Sequence, residues 1–418
     1  MEQLFITNLT INKVRHLKEI SIPLSKEQMK HLILTGKNGS GKTSVIESLA
    51  EYINNVFTDP YFEERKIWLE NAEKKRDIAF QNKKDEAEIL KIESDIDKKK
   101  EELKRSRNGL DVKFNNKTDS ICKVSEKYHY LFAYYRADRI FRAEQPKHIE
   151  KVQLKNYYGL QEFPRNEFVK YLLDLKMTEA LARNNKKIEK ANEIQEWFEN
   201  LEQLLKQIFH DETVKLEFDE DTFIFHILQQ GREPFDFNTL SSGYQAVLDI
   251  VLDIMMRMQH QTQRSFDFNL PGIVLIDEIE THLHLELQKN ILPFLTTFFK
   301  NIQFVVTSHS PFILNSIEDV VIYDLENQLL VEHGLEDVPY DGIVEGYFKV
   351  DKLSDILREK FIKYKNLTKK KELSDDEWNE IAELEMYLDE IPDYLAIGIT
   401  MEYKRLKLEF MNREDIDG

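Results

Sequence analysis

The sequence is poor in cysteine and has no long apolar run. Its one cysteine, Cys122, excludes an internal disulfide and any cysteine-based metal cluster, and it agrees with a reducing compartment. No stretch approaches the roughly 18 to 20 apolar residues of a membrane-spanning helix. The first residues also lack the basic-then-apolar layout of a secretory signal. We therefore predict a cytoplasmic protein without membrane contacts.

Basic residues are fewer than acidic residues. The 418 residues include 58 Lys and Arg against 76 Asp and Glu, which gives a formal net charge of −18. Such a chain repels nucleic acid as a whole, so binding to nucleic acid would require a local basic surface or a basic partner. With 41% hydrophobic residues, the chain can bury a sizeable globular core.

Glycine and proline are almost missing from one charged stretch, residues 62–113, which contains only Gly109 and no proline. Apolar residues recur there every seven positions, as in a coiled coil: Ile89, Ile96, Leu103 and Leu110. This spacing predicts a short helical hairpin or coiled coil. A solvated helical insertion without a mechanical role fits the same pattern.

Several glycines are concentrated in one segment that matches the eight-position P-loop pattern in full. It follows an apolar strand, His31 to Thr35, and precedes residues with helical apolar spacing. Glycines let backbone amides curl around phosphates, and the following helix adds a favourable dipole. We predict that ATP and Mg²⁺ are the cofactors, with Lys42 on the β- and γ-phosphates and Thr43 on the metal. The predicted binding residues are Gly36, Lys37, Asn38, Gly39, Ser40, Gly41, Lys42, Thr43 and Ser44.

Two carboxylates follow a second apolar strand, Ile273 to Ile276. They should lie at the carboxyl edge of a central strand, beside the P-loop. We predict that Asp277 holds Mg²⁺ and that Glu278 orients and deprotonates the attacking water. A third strand, Ile302 to Thr307, should run parallel to this one and bring His309 near the γ-phosphate as a sensor.

The segment Leu240-Ser-Ser-Gly-Tyr244 resembles the signature motif of ABC-type ATPases, with serine in place of the first glycine. In that superfamily, the signature serine and glycine reach across a dimer to the partner's nucleotide. The resemblance implies this role for Ser241 and Gly243. By its own chemistry, the segment is a helix N-terminus with exposed amides, which is a good anion site.

The order of P-loop, helical insertion, signature, Asp-Glu pair and histidine resembles the heads of ABC/SMC-like ATPases, including RecF-like and OLD ATPases. This resemblance implies an α/β fold: an ABC-type P-loop ATPase head with a mixed β-sheet core, a coiled-coil or helical insertion and a helical C-terminal tail. The predicted divisions are an N-terminal lobe (1–60), the insertion (61–125), the rest of the head (126–335, with a helical region at 165–212) and the tail (336–418).

Weaker similarities concern three arginines and the residues after Glu278. Arg15 matches a family position where a basic residue approaches phosphate. Arg136 and Arg139 lie about where the family's Q-loop couples nucleotide to the insertion, but no particular glutamine matches. Glu280 and His282 fall at the family's D-loop, and the surrounding sequence resembles bacterial defence and repair ATPases more than transporter subunits.

The resemblance implies a homodimer, or a larger dimer-based assembly, that closes around ATP. Our leading hypothesis is an ATPase that regulates a separate effector, such as a nuclease, in a bacterial anti-phage defence system of the Septu type. We identify no nuclease site in the sequence itself. One alternative is a RecF-like or SMC-like repair ATPase that clamps DNA. Another is a stand-alone ATP-regulated toxin that cleaves nucleic acid.

Overall fold

The structure is a computed structural model. It describes residues 4–82, 84–115, 130–139, 148–338, 342–343, 355–370, 372–389 and 397–412. Cys122 lies outside these residues. The chain divides into two compact units, residues 1–338 and residues 339–418.

The first unit begins with a small antiparallel sheet in the order β2–β1–β4. Alternate residues of its strands, such as Leu9, Ile11 and Val112, are buried in a core shared with the main sheet. This alternation is the pattern of a sheet with one covered face. The strands are β1 (Ile6–Val14), β2 (Leu17–Pro23) and β4 (Leu110–Phe114).

The main sheet carries the predicted nucleotide motifs. Its strand order is β11–β10–β3–β9–β8–β5, and all neighbours are parallel except the edge strand β11. The mixed sheet confirms the predicted fold class, and β9 is parallel to β8 as predicted. The strands are β3 (His31–Thr35), β5 (Leu131–Tyr135), β8 (Gly272–Ile276), β9 (Ile302–Thr307), β10 (Val320–Asp324) and β11 (Leu329–Val331).

Three helices follow strands of this sheet. The helix after the P-loop buries Val45, Ile46 and Leu49 in the core. Because the carboxyl ends of parallel strands meet at one edge of a sheet, these connections collect the motif residues there. The helices are α1 (Lys42–Thr58), α7 (Leu285–Phe298) and α8 (Pro311–Leu314), numbered in chain order.

The charged insertion forms two packed helices, α2 (Glu64–Gln81) and α3 (Glu86–Arg107). Ala72, Ala79 and Ile96 are buried between them, while most other positions are exposed. The predicted helical stretch was wrong at its C-terminal end, because Leu110, the last residue of the seven-residue repeat, lies in the strand β4. Asn108 and Gly109 have φ of 49° and 76°, which ends α3, and a Cβ on Gly109 would lie 2.0 Å from the Lys13 carbonyl oxygen.

A helical region separates β5 from the signature segment. A 3₁₀ turn at Pro164–Glu167 leads into two helices that pack on each other, in the region predicted to be helical, and a β-hairpin follows. The signature helix comes next and buries most of its length. The elements are α4 (Phe168–Asn184), α5 (Ile188–Phe209), β6 (Lys215–Asp219), β7 (Ile224–Leu228) and α6 (Ser242–Met258).

The second unit has an apolar core of its own. Its described helices are α9 (Asp355–Leu367), α10 (Asp375–Asp389) and α11 (Ile397–Met411). Ile381, Leu384 and Leu388 are buried, in agreement with their helical spacing in the sequence. They pack with residues of α9 and α11, among them Tyr364, Tyr403 and Phe410.

Candidate active site

The P-loop is held in its curled form by backbone conformations that favour glycine. Gly36, Gly39 and Gly41 have φ of 130°, 85° and 100°. A Cβ on Gly36 would lie 2.8 Å from the Ser40 hydroxyl oxygen, so a larger residue would have to displace this loop. These φ values give the loop the glycine-dependent curl that a phosphate-binding loop requires.

Lys42 is buried at the start of α1, with its ammonium folded back over the loop. Its Nζ donates hydrogen bonds to the carbonyl oxygens of Gly36 at 2.9 Å and Lys37 at 3.1 Å. Burial lowers the pKa of Lys42, while the carboxylates of Glu278, Glu280, Asp277 and Asp324 raise it. One buried cation thus faces four acidic side chains, and an incoming phosphate would compete with them for it.

A chain of hydrogen bonds joins the P-loop helix to the carboxylates after β8. The Thr43 hydroxyl lies 3.4 Å from Asp277 Oδ1, and the Thr307 hydroxyl donates to the same oxygen at 2.6 Å. Thr307 Oγ1 also accepts the Glu278 amide hydrogen at 2.7 Å. Thr307, at the end of β9, therefore positions both acidic residues, a role that the sequence analysis did not assign.

Glu278 occupies an unusual backbone position for a residue with a Cβ. Its φ is 45°, in the left-handed region, where non-glycine residues are uncommon and costly. Its Oε2 accepts a hydrogen bond from the Thr281 hydroxyl at 3.3 Å. Three consecutive backbone carbonyls of this turn, those of Asp277, Glu278 and Ile279, accept hydrogen bonds from the buried Arg139 guanidinium.

His309 lies between the P-loop strand and the carboxylate strand, because β9 separates β3 from β8. Its backbone amide donates to Glu280 Oε1 at 2.5 Å. Burial lowers the pKa of His309, and the Lys42 charge lowers it further. Its buried Nε2 has no hydrogen-bond partner among the described residues. A neutral ring with an unoccupied nitrogen suits a contact to a substrate oxygen.

The structure adds Asp324 to the site, which the sequence analysis missed. It ends β10, next to the P-loop strand, and an added Cβ on Gly36 would lie 3.3 Å from its Oδ1. Its Oδ1 accepts hydrogen bonds from the backbone amides of Glu326 and Asn327, and its Oδ2 accepts one from the Asn327 side-chain amide. A signal was present in the sequence, since the apolar run from Val320 to Tyr323 ends in this carboxylate.

The signature residues lie apart from these groups. Ser241 and Ser242 are exposed at the start of α6, and Gly243 is buried. A Cβ on Gly243 would lie 3.2 Å from the His282 carbonyl oxygen, so glycine lets α6 begin close to the turn after Glu278. No hydrogen bond or ion pair between described residues connects Ser241 or Gly243 to the P-loop.

The remaining predicted residues border two grooves. Lys37, Asn38, Gly39 and Ser40 line one of about 510 Å³, with His16 and Lys18 opposite. Lys37 Nζ contacts Glu326 Oε1 at 3.0 Å across the surface. Arg15, in the exposed turn between β1 and β2, borders a different groove of about 750 Å³ with Ser44. Its predicted approach to phosphate stays a prediction.

The donors present suit ATP with Mg²⁺. Thr43 and Asp277 offer a hydroxyl and a carboxylate oxygen 3.4 Å apart, and Mg²⁺ prefers such ligands. Residues 36–42 offer a curled glycine-containing loop and a buried cation for phosphates. Thr43, Asp277 and the P-loop are therefore the residues that would hold the metal and the nucleotide.

A family model described as "AAA domain, putative AbiEii toxin, Type IV TA system" matches residues 32–315. The match runs from the P-loop strand through His309 and so includes every motif at this edge. The chain belongs to this family. It therefore carries a P-loop ATPase domain, as the sequence motifs indicated.

Curated relatives cover different parts of the chain. A retron Ec83 probable ATPase of Escherichia coli is 37% identical over an alignment of 137 positions, which covers 31% of this chain and 24% of that protein. Septu protein PtuA of Bacillus mycoides (strain KBAB4) is 24% identical over an alignment of 418 positions, which covers 97% of this chain and 53% of that protein. The chain thus spans about half or less of the length of these relatives.

Among solved structures, an Smc head bound to the C-winged helix domain of ScpA aligns with 80% of this chain and 98% of that chain. The identity is 14% and the TM-score is 0.37. In the part of this chain that the structure describes, no helix is long and apolar enough to cross a membrane.

Proposed function

We propose that this chain is an ATP-hydrolysing switch that dimerises around nucleotide and regulates a separate effector in a bacterial anti-phage defence system. The observation that carries this proposal is the contrast between two faces. The P-loop, Asp277 and Glu278 are joined by hydrogen bonds within the chain, whereas Ser241 and Ser242 stand exposed at the start of α6. A second copy of the chain would place its own signature residues, Ser241 and Gly243, against the nucleotide at the P-loop of the first copy.

Hydrolysis in this proposal uses residues of one P-loop edge. Lys42 moves its contacts from the loop carbonyls to the β- and γ-phosphates. Glu278 accepts a proton from the attacking water, and His309 contacts the γ-phosphate through Nε2. Mg²⁺, when bound through Thr43 and Asp277, neutralises phosphate charge. The exposed amides and hydroxyls of the partner's signature helix add an anion site on the opposite side.

Regulation of an effector draws support from the relatives and from the second unit. The matched relatives are named for retron and Septu systems, and the Septu relative aligns along almost the whole chain. The second unit has its own apolar core. It also carries large apolar side chains that are at least 60% exposed, among them Met386, Met401 and Leu408. We propose that this unit contacts the effector.

Affinity purification of the tagged chain from its native host, with ATP present, tests this function. Mass spectrometry should find a nuclease or toxin-like protein in stoichiometric amount. Lys42→Ala serves as the matched nucleotide-free control, and retention of the partner should differ between the two preparations. Recovery of the chain alone would contradict an effector regulator. Metal-dependent nucleic-acid cleavage by the pure chain would favour the stand-alone toxin instead.

One observation favours the DNA clamp as a second candidate. The groove of about 750 Å³ beside Arg15 is bordered by the basic end of α3, although the chain as a whole is acidic. Its cations are Lys13, Arg15, Lys100, Lys104, Arg105 and Arg107, against Glu47, Glu51 and Glu101. If DNA binds there, Lys100→Glu with Lys104→Glu should weaken DNA binding and its salt dependence, measured by fluorescence anisotropy. An unchanged affinity would remove this candidate.

A further inference from the structure

Arg139 is bonded to the turn that carries the proposed catalytic carboxylate. It is 5% exposed, and its Nη1 donates to the carbonyl oxygens of Asp277 at 2.9 Å and Arg136 at 3.0 Å. Its Nη2 donates to the carbonyl oxygens of Glu278 at 3.1 Å and Ile279 at 2.9 Å. Both terminal nitrogens are thus fully used on backbone oxygens.

These bonds converge on the strained part of the site. The carbonyls of three consecutive residues in an extended strand point in alternating directions, so they face one guanidinium only after the backbone has turned. Here the turn occurs at Glu278, whose φ is 45°. Such a conformation persists only where its surroundings hold it. Arg139 supplies the contacts to the carbonyls and Thr307 accepts the Glu278 amide hydrogen, so the two residues together set the direction in which the Glu278 side chain leaves the backbone.

The planar fork of arginine suits this task better than an ammonium does. Four N–H groups in one plane reach four carbonyl oxygens, whereas lysine has three donors on a single nitrogen. Carbonyl dipoles compensate only part of the cost of burying the charge. Burial lowers the pKa of Arg139, and the Asp249 carboxylate raises it more than any other acidic group does.

Asp249 connects this arginine to the signature helix. It lies fully buried in α6, where Arg165 forms an ion pair with it and a second contact, at 3.4 Å, with Asp253. Asp253 also accepts a hydrogen bond of 2.8 Å from the Tyr135 hydroxyl at the end of β5. Buried charged residues, Arg139, Arg165, Asp249 and Asp253, therefore lie between the turn after β8 and the signature helix α6.

We infer that Arg139 is a positioning residue for ATP hydrolysis: it holds the Asp277–Ile279 turn so that Glu278 faces the attacking water. Arg139 touches neither nucleotide nor water in this role. The inference rests on the proposed role of Glu278 and assigns to Arg139 a task different from the Q-loop coupling that the sequence resemblance suggested. It also predicts which kinetic constant depends on the guanidinium.

The test compares Arg139→Lys and Arg139→Gln with a matched variant, Arg257→Lys. Arg257 is 6% exposed and donates to two backbone carbonyls, those of Tyr158 and Glu162, and to Asp253, but it contacts no residue of the turn. Turnover is measured per bound nucleotide, so that an unfolded fraction does not imitate a loss of catalysis. Nucleotide affinity is measured with a fluorescent ATP analogue.

We expect both Arg139 variants to lose about 10- to 100-fold in kcat, because a small misplacement of a catalytic group costs that much. The affinity for nucleotide should stay within about threefold, since the P-loop contacts remain. Arg257→Lys should change kcat by less than about threefold, although it removes a buried guanidinium as well.

A double variant separates positioning from general loosening of the fold. In a Glu278→Gln background, Arg139→Lys should cause no further loss of turnover, because the group it positions is already disabled. Multiplicative losses, or equal kcat losses in the Arg139 and Arg257 variants, would overturn the inference. Wild-type turnover in Glu278→Gln itself would instead overturn the proposed role of Glu278, so the two failures are distinguishable.

Discussion

The P-loop edge of the main sheet and the start of α6 differ in how far their polar groups are bonded within one chain. At the P-loop edge, Lys42, Asp277 and Thr307 all have hydrogen-bond partners, and Arg139 holds the adjoining turn. At the start of α6, Ser241 and Ser242 are exposed, and the Ser241 side chain makes no capping hydrogen bond to the helix. One face is assembled in advance, and the other is available to a ligand or a second chain.

This difference has a physical basis. Catalytic carboxylates must be held closely, and buried hydrogen bonds provide that precision because water does not compete for them. A surface that closes only when ATP is present must stay hydrated and separable until then. Contacts that form in one state and not in the other are what allow a ligand to shift an equilibrium. The following variants test each face in turn.

Lys42→Ala should have the largest effect, on the assembled face. Removing a buried cation leaves four carboxylates facing the phosphate site, which repels ATP. We expect nucleotide affinity to fall about 100-fold or more, measured by equilibrium binding. Lys30→Ala is a matched control, because Lys30 is also buried and its Nζ donates to the Glu332 carbonyl oxygen at 2.9 Å, away from the site. Equal losses in both variants would contradict a specific role for Lys42.

Glu278→Gln should separate chemistry from binding on the same face. The amide keeps the size of the side chain but cannot accept a proton, so turnover should fall about 100-fold or more. ATP affinity should be retained, and the ATP-bound dimer should accumulate in size-exclusion chromatography with light scattering. Glu286→Gln, at an exposed position in the first turn of α7, should behave like wild type. Equal turnover in Glu278→Gln and wild type would remove the catalytic assignment.

Ser241→Arg tests the exposed face. A long charged side chain there should displace the signature contacts to the partner's nucleotide while leaving the chain's own P-loop intact, so ATP binds but turnover falls about 10-fold or more. A mixing experiment gives the sharper result. Ser241→Arg and Lys42→Ala chains should each have little turnover alone, but their heterodimer contains one composite site in which both the P-loop and the signature are intact. An equal mixture should recover about a quarter of wild-type turnover if chains exchange freely. No recovery would contradict a site shared between chains.

The last prediction concerns the stability of the sheet under the assembled face, which leaves nucleotide chemistry unchanged near pH 7. His31 is buried at the start of β3, and its Nδ1 accepts the Phe304 amide hydrogen at 3.1 Å. Burial lowers the pKa of His31 to about 4. The unfolded chain takes up this proton near pH 6.5, so stability is complete above that pH and falls as the pH drops toward 4.

By pH 4 this one group should cost about 3 kcal/mol of unfolding free energy, and the loss should level off just below that pH. Urea unfolding followed between pH 7 and pH 4 measures the loss. His31→Gln keeps an acceptor without a titrating ring, so its stability should depend less on pH over this range. Parallel curves for the two proteins would contradict the assignment.

The motifs that could be predicted from the sequence share one property: each is a short segment whose function depends on its own residues. The P-loop needs glycines at fixed spacing, and Asp277 and Glu278 need only an apolar strand before them. The family match across residues 32–315 confirms the ATPase domain that these motifs indicated. The helical hairpin could also be predicted from the sequence, because apolar residues repeat every seven positions along one of its helices, α3.

Tertiary structure alone decided which distant residues complete the site. Strand β10 brings Asp324 to the P-loop, Thr307 links two carboxylates, and Arg139 reaches a turn 138 residues further along the chain. The sequence likewise marked Leu110 as a helical position, although pairing with β1 made it part of a strand. Local spacing records which residues share a face of one element. Which elements then meet depends on burial and on hydrogen bonds between distant segments, and no local pattern encodes those.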